Sequence, residues 1–317
     1  MWTYSDSRAA LRDALRLSRA MTFKAAVAGL PLGGGKGVIM VPPAVRLDGA
    51  LRRAALLDFA DTVQALGGRY ITAEDVGTSS RDMSLISSAT AHVAGLSRRR
   101  GGSGDPSPLT ALGVTVAIET CCERVFGDRS LMDRRISVVG LGHVGERVAK
   151  RCAQAGARLT VADLDTGKRA LAARLGARWT TPEKAIEADV EVLAPCALGG
   201  ILDDETVPRL RCRVVAGAAN NQLADERIAE LLAARRILWA PDFVANAGGL
   251  INIAAERDGY EPALARRRVR GIADTLREIF DNADAVGATP LTAALELAAE
   301  RLREATPERP TAVSGLA

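Results

Sequence analysis

Aromatic side chains make up only 3% of this 317-residue chain, too few to build the stacking platforms on which single-stranded nucleic acids lie. Histidine is scarcer still. His92 and His143 are the only two, which almost excludes a His-based metal site and leaves a Ser-His-Asp triad just these to draw on. The five cysteines (Cys121, Cys122, Cys152, Cys196, Cys212) show no metal-ligand spacing. An odd count with two adjacent argues against a disulfide framework and fits a reducing cytoplasm. No basic–apolar–small leader pattern is present, and no apolar run approaches the ~20 residues a membrane span needs. Charge of one sign is not concentrated either. The net +4 is spread along the chain, and Arg98-Arg99-Arg100 and Arg266-Arg267-Arg268 read as solvated surface, not as the one-sided stripe of a nucleic-acid binder.

Apolar residues, by contrast, reach 48%, and Ala, Leu, Val and Gly dominate. A chain of this length holds two domains, each with its own core. Residues 6–29 read as a helix with Ser7 as a possible cap and apolar positions at Leu11, Leu15, Met21 and Ala25. The run Gly37 to Val41, bounded by Pro42-Pro43, reads as a strand. Residues 47–66 read as a second helix, followed by a short strand ending near Ile71. Gly101-Gly102-Ser103-Gly104-Asp105-Pro106 breaks the pattern and marks a domain boundary. Beyond it come a helix from Pro108 to about Arg124 and strands at 136–139, 159–161, 190–193, 213–216 and 237–240, separated by helical segments. That alternation predicts a doubly wound parallel sheet. The chain is helical from about Arg266, a last amphipathic helix spans 291–305, and the tail after Pro310 is expected to fray.

Gly140-Leu141-Gly142-His143-Val144-Gly145 matches G-x-G-x-x-G. Its context gives it weight: it follows a β-branched strand, opens a helix, and precedes a strand ending at Asp163, 18 residues past Gly145. Gly140 permits the tight turn, Gly142 lets backbone approach a pyrophosphate, and Gly145 allows close helix–strand packing. The helix start offers unpaired N–H groups to phosphate. Asp163 would accept hydrogen bonds from the adenine ribose and, with Asp165 nearby, repel a 2′-phosphate, favouring NAD over NADP. His143 sits at a variable position of the motif and has no orienting partner in sequence. It reads as phosphate-facing or exposed, not catalytic.

Gly33-Gly34-Gly35-Lys36-Gly37 invites a P-loop reading that fails, because Leu30 and Gly37 stand where that pattern requires Gly and Ser/Thr. The glycines must serve another purpose, such as bringing backbone close to a ligand and leaving Lys36 under little steric cover. Met21-Thr22-Phe23-Lys24 precedes this run, with the two lysines 12 positions apart. Together with Thr72-Ala73-Glu74-Asp75-Val76-Gly77-Thr78, 101–108, the glycine fingerprint, 194–200, 217–223 and 241–249, the segment resembles the glutamate/leucine/phenylalanine/valine dehydrogenases. The wording is closest to the leucine and valine members.

The resemblance implies roles. Lys24 pairs with the substrate α-carboxylate, Lys36 activates the water that attacks an iminium carbon, and Asp75 exchanges protons with the amino group. Asn220 holds substrate beside the nicotinamide ribose, and Thr110 and the Cys196–Ala197 turn add dinucleotide contacts. Cys196 is thereby a backbone-positioning residue, not a nucleophile. A lysine serves as a base only if burial or a neighbouring cation lowers its pKa, and Lys24 and a bound NAD⁺ would both press Lys36 that way.

Family members carry several dozen residues, ending in Gly-Gly-x-Arg, before the stretch matching Met1-Trp2-Thr3-Tyr4. An internally assigned start is expected over a real N-terminal truncation, since losing those early strands would leave a sheet edge unprotected. The expectation is thus an α/β protein: a mixed substrate and oligomerisation domain, 1–104 with 288–317, and a Rossmann-type NAD domain, 105–287. It would interconvert an aliphatic L-amino acid and its 2-oxo acid plus ammonia, as a homo-oligomer without metal, nucleic-acid or membrane partners. Ala73, Val244, Ala245 and Leu250 are candidate pocket linings. No cation is evident for a γ-carboxylate, so leucine, valine or isoleucine outranks glutamate. A phenylalanine-type substrate, or an NAD-binding scaffold that has lost catalysis, is the alternative.

Overall fold

The structure, a computed structural model, describes residues 1–43, 45 and 47–305, apart from the side chain of Asp258. The expected fraying after Pro310 lies outside the described residues. The chain opens with β1 (Trp2–Thr3), α1 (Ser7–Val27), β2 (Met40–Val41), α2 (Gly49–Ala65) and α3 (Ser80–Ile86). Then α4 (Ser107–Phe126) leads into β3 (Arg135–Val139), α5 (His143–Gln154), β4 (Arg158–Ala162), α6 (Arg169–Arg174), β5 (Arg178–Trp179) and α7 (Pro182–Ile186). Next come β6 (Val192–Pro195), β7 (Val214–Val215), α8 (Ile228–Ala234), β8 (Leu238–Trp239), α9 (Asp242–Ala245) and α10 (Gly248–Ala254). The chain closes with α11 (Pro262–Arg270), α12 (Ile272–Val286) and α13 (Pro290–Ala305).

Strands β3 to β8 form one parallel sheet of six, in the order β5-β4-β3-β6-β7-β8. This is the doubly wound order in which the chain first builds outward on one side of β3 and then on the other. It leaves a crevice beyond the carboxyl ends of β3 and β6. Successive residues feed opposite cores, as the two-residue period of a strand dictates. Val138, Val161, Val192 and Val214 join one core, while Val139, Ala162, Leu193 and Val215 join the other. Burying each large aliphatic side chain contributes about 1.5–3 kcal/mol. Edge strand β5 carries no apolar run, so the sequence offers no sign of it.

The N-terminal elements follow expectation less closely. Asp6, not Ser7, caps α1: its extended backbone (φ −160°) lets the carboxylate accept the Ala9 N–H at 2.8 Å. Leu11 and Leu15 are 61% and 64% exposed; apart from Ala10, the buried residues of α1 lie in its last turns, with Ala26 and Val27 joining the large core beside Ala294, Leu297 and Ala298 of α13. The strand expected over 37–41 shrinks to Met40–Val41, paired in parallel with Trp2–Thr3. A β1 of two residues can support no more. The strand expected near Ile71 is a single bridge, Thr72 to Val93. A third, small core joins α2 and α3 through Leu56, Ala60, Met83 and Ile86. Among the described residues, no helix is long and apolar enough to cross a membrane.

Candidate active site

Residues 33–39 form neither helix nor strand, so packing must hold the loop that carries Lys36. Gly34 lies so tightly on α1 that a Cβ there would sit 2.1 Å from Thr22 Oγ1 and 2.4 Å from the Ser18 carbonyl oxygen. The Ser18 hydroxyl donates to the Gly34 carbonyl at 2.9 Å. A Cβ on Gly35 would fall 2.7 Å from the Tyr70 ring, and one on Gly37 would fall 2.7 Å from the Phe59 ring. The Gly37 N–H donates to Tyr70 Oη at 2.9 Å. These three glycines therefore bring backbone close to α1, Tyr70 and Phe59, not to a ligand as the sequence suggested. Only Gly33 has open space beside it.

Lys36 so held meets Asp75 in a direct ion pair between Nζ and Oδ2. Asp75 sits in a turn closed by the Thr78 N–H donating to its carbonyl at 2.9 Å. The Thr78 hydroxyl donates to the same oxygen at 2.7 Å, and the Val76 N–H donates to Asp75 Oδ1, also at 2.7 Å. The carboxylate is half exposed while the lysine is mostly covered. Burial lowers the Lys36 pKa, and the carboxylate of Asp13 partly opposes it. Lys24, in the last turn of α1, is pushed down to about 8, first by desolvation and then by the charge of Lys36, with Asp242 working the other way. Asp242 itself is buried, and desolvation raises its pKa against the hydrogen bond from the Gln222 N–H and the charge of Lys24. Lys24, Lys36, Asp75 and Asp242 thus form one connected set of charges.

The second half of the site is the glycine turn after β3. Gly140 has φ +96°, and a Cβ on it would lie 2.6 Å from Ala197 Cβ. A Cβ on Gly145 would lie 1.9 Å from the Gly140 carbonyl oxygen. Both are glycine because protein fills the space. Gly142 differs, since nothing lies within 4 Å of its missing Cβ. Its open side faces the start of the 12-residue helix α5, whose first N–H groups carry the positive end of the helix dipole. A groove of about 450 Å³ opens there, lined by Gly142, His143, Glu146, Arg147, Lys150 and Lys168. Leu141 is fully buried under the turn, Val144 is half-buried, and His143 is exposed as the first residue of α5. Asp163, at the end of β4, accepts the Leu141 N–H at 2.5 Å and the Asp165 N–H at 2.8 Å, which fixes its carboxylate at the rim of the turn. The donors and the gap suit a dinucleotide phosphate.

Asn220 lies against the Gly199 loop and Asn246. A Cβ on Gly199, near Ala197, would lie 2.4 Å from the Asn220 carbonyl oxygen. The Asn220 side-chain Oδ1 accepts from Asn246 Nδ2 at 2.8 Å, so its own NH₂ is left to donate. Thr110, in the first turn of α4, donates its hydroxyl to the Pro106 carbonyl at 3.0 Å and lies against Gly249. Of the candidate pocket linings, Val244 (2%) and Ala245 (0%) are buried, Val244 lining a cavity of about 110 Å³, while Ala73 and Leu250 are half-buried. The Cys196 thiol is pushed up to about 12 by burial, which suits a packing role. Among the described residues, no three His, Cys, Asp or Glu side chains gather as a metal site would need.

Several participants had no role assigned from sequence. Asp242 and Asn246 belong to the Pro241–Gly249 motif, yet nothing local reveals that one faces Lys24 and the other Asn220. Gln222 accepts the Trp239 indole N–H at 3.1 Å and donates its backbone N–H to Asp242 at 2.7 Å. Tyr70 adjoins the Asp75 segment, and only the fold shows it against the lysine loop.

Comparison with known proteins covers most of the chain. The family model described as the Glu/Leu/Phe/Val dehydrogenase dimerisation domain fits residues 2–92. The one described as Glutamate/Leucine/Phenylalanine/Valine dehydrogenase fits residues 160–309. The chain belongs to this family of amino-acid dehydrogenases. It is 44% identical over 303 residues to a leucine dehydrogenase of Thermoactinomyces intermedius, covering 95% of this chain and 82% of that one. It is 38% identical over 315 residues to a valine dehydrogenase of Streptomyces albus, covering 97% of this chain and 85% of that one. The solved structure of L-tryptophan dehydrogenase from Nostoc punctiforme superposes with a TM-score of 0.84 at 38% identity, covering 95% of this chain and 86% of that one.

Proposed function

We propose that this dehydrogenase converts an aliphatic L-amino acid (leucine, valine or isoleucine) reversibly to its 2-oxo acid and ammonia, with NAD as cofactor. The Lys36–Asp75 ion pair, with Lys36 close enough to Lys24 to lower the pKa of Lys24, carries the proposal. Residues 105–287 would hold the nucleotide, and residues 1–104 with 288–317 would present the lysines. Gly140, Leu141, Gly142, His143, Val144 and Gly145 would receive the pyrophosphate, Asp163 the adenine ribose, and Thr110 and Ala197 the nicotinamide end. A carboxylate fixed at the position of Asp163 disfavours a 2′-phosphate. The match of residues 2–92 to a dimerisation domain supports a homo-oligomer.

A bound NAD⁺ would supply the hydride acceptor for the substrate Cα. Everything else falls to this chain. Lys24 would hold the α-carboxylate, and Asn220 would donate its NH₂ to the bound ligand. Asp75 would take a proton from the substrate ammonium and later return one to the departing nitrogen. Lys36, as the neutral amine, would accept a proton from the water that adds to the iminium carbon. Direct contact between Nζ and Oδ2 lets the two groups trade that proton. Closing the cleft would keep other water away.

The test is NADH formation on leucine, valine, isoleucine, phenylalanine, tryptophan and glutamate. Turnover is expected on the branched aliphatic substrates. Preference for tryptophan or phenylalanine would move the assignment toward the aromatic-specific relatives, since the pocket residues distinguish side chains by only ~1–3 kcal/mol per methylene. Silence on all six with NAD still binding would mean a scaffold. Lys36→Ala should lower kcat at least about 10³-fold while NAD affinity stays within about twofold, as expected for loss of a general base.

A further inference from the structure

Two segments without regular structure carry the acid–base pair; the chain start ties them indirectly, Met1 donating to the Val76 carbonyl at 3.0 Å and the Trp2 N–H to the Ile39 carbonyl at 3.1 Å. Residues 33–39 rest on α1 through Ser18 and Thr22, yet that fixes the loop only against α1. The other segment runs from Tyr70, through the lone bridge at Thr72, to the Asp75 turn. One hydrogen bond between neutral groups crosses from one segment to the other, from the Gly37 N–H to Tyr70 Oη at 2.9 Å. It lands on the residue directly after Lys36. The Tyr70 ring lies flush against Gly35, directly before Lys36, where even a methyl group would come within 2.8 Å of it. The tyrosine therefore grips the backbone on both sides of the lysine from the strand of chain that supplies Asp75.

We infer that Tyr70 is a positioning residue that sets the distance between Lys36 and Asp75 by clamping the lysine loop to the aspartate segment through its hydroxyl. The inference rests on the acid–base reading of that pair. The ring contact alone cannot do this, because a face against glycine leaves the loop free to slide, whereas a hydrogen bond to one N–H fixes register. The groups facing Lys36 are Asp75 from the 73–78 segment, Asp13 and Lys24 from α1, and the α-amino group of Met1. None of them touches the clamp, so removing the hydroxyl leaves the local charges in place.

Tyr70→Phe keeps the ring and deletes the hydroxyl. Loss of one neutral hydrogen bond predicts a kcat lower by about three- to tenfold, with KM for NAD⁺ unchanged. Freed from the clamp, the loop admits water and relieves the burial that depresses Lys36. The low-pH limb of the kcat/KM profile should therefore move to higher pH. The melting temperature should fall by no more than about 3 °C, as for ~1 kcal/mol in a chain of this size. Tyr70→Ala, which also removes the ring, should lose more activity in the same direction. Wild-type kcat and an unmoved pH limb in Tyr70→Phe would overturn the inference. So would a loss of activity matched only by a smaller folded fraction. Lys36→Ala, run alongside, separates the levels: if it stays active, the acid–base reading has failed and this inference with it. If it is inactive while Tyr70→Phe behaves as wild type, only the clamp is wrong.

Discussion

Lys24 is a residue of the candidate site whose charge depends on pH. Desolvation and Lys36 bring its pKa to about 8 from an ordinary 10.5, with Asp242 holding it up. In the free enzyme the ammonium is present below that value and lost above it. A substrate carboxylate needs the ammonium, so KM for the amino acid should climb as pH rises past about 8, approaching tenfold per unit, while KM for NAD⁺ stays level. Initial rates from pH 7 to 10 measure this, and a KM flat across that range would remove Lys24 from carboxylate binding. The effect on folding has the opposite sense. Between about 8 and 10.5 the unfolded chain binds the proton that the folded chain does not, so this group's contribution to stability grows with pH across that window. The identities of Lys24, Lys36 and Asp75 are legible in the sequence because each stands in a distinctive local motif. The cause of Lys24's shift is not, since Asp242 and the apolar walls arrive from distant parts of the chain.

At the scale of elements, the glycine turn separates two kinds of constraint that look alike in sequence. Gly140 and Gly145 are glycine because of neighbouring protein, and Gly142 because of the space beside it. Gly140→Ala should lower stability by about 2–4 kcal/mol, combining left-handed strain at φ +96° with overpacking against Ala197. Gly142→Ala, at an ordinary φ of −67°, should unfold at the wild-type urea concentration yet bind NAD at least about tenfold more weakly, because the methyl occupies ground the pyrophosphate needs. Urea unfolding and calorimetric titration distinguish them. A destabilised Gly142→Ala with normal affinity would contradict the assignment of that opening. The parallel strands and helices α4, α5 and α13 are readable from apolar periodicity because each buries a full face. The edge strand β5 and the two-residue β1 bury little and leave no such pattern. The exposed Leu11 and Leu15 show the converse, an apolar spacing on α1 that the described residues leave uncovered.

Across the whole molecule, the connection between the N-terminal elements and the large sheet is clipped at Glu256. Its carboxylate accepts the Gly95 N–H at 3.0 Å and the Ser103 N–H at 2.6 Å, on the stretch that leads into α4. The neighbouring Arg257 donates to the Pro31 carbonyl at 3.0 Å, and Arg301 of α13 donates to the Val27 carbonyl. Thus two late elements hold down early ones. Glu256→Ala leaves two backbone donors without their acceptor, and should cost about 2–4 kcal/mol. Faster amide exchange is expected at Gly95 and Ser103, read by thermal unfolding and hydrogen exchange. Unchanged protection at both amides would show that the clip is not what orders this stretch.

Local order along the chain was enough to specify the parallel sheet, the glycine turn and the family, because strand alternation, a glycine-rich bend and motif wording all act over a few neighbouring residues. The paired lysines and aspartate could be named from it as well. Folding alone decided how those groups meet: the tyrosine against the lysine loop, the buried Asp242 facing Lys24, the asparagine pair, and the core that swallowed Val244 and Ala245. Each of these depends on segments far apart in the chain being pressed together, and desolvation, which moves the lysine pKa values, exists only once they are.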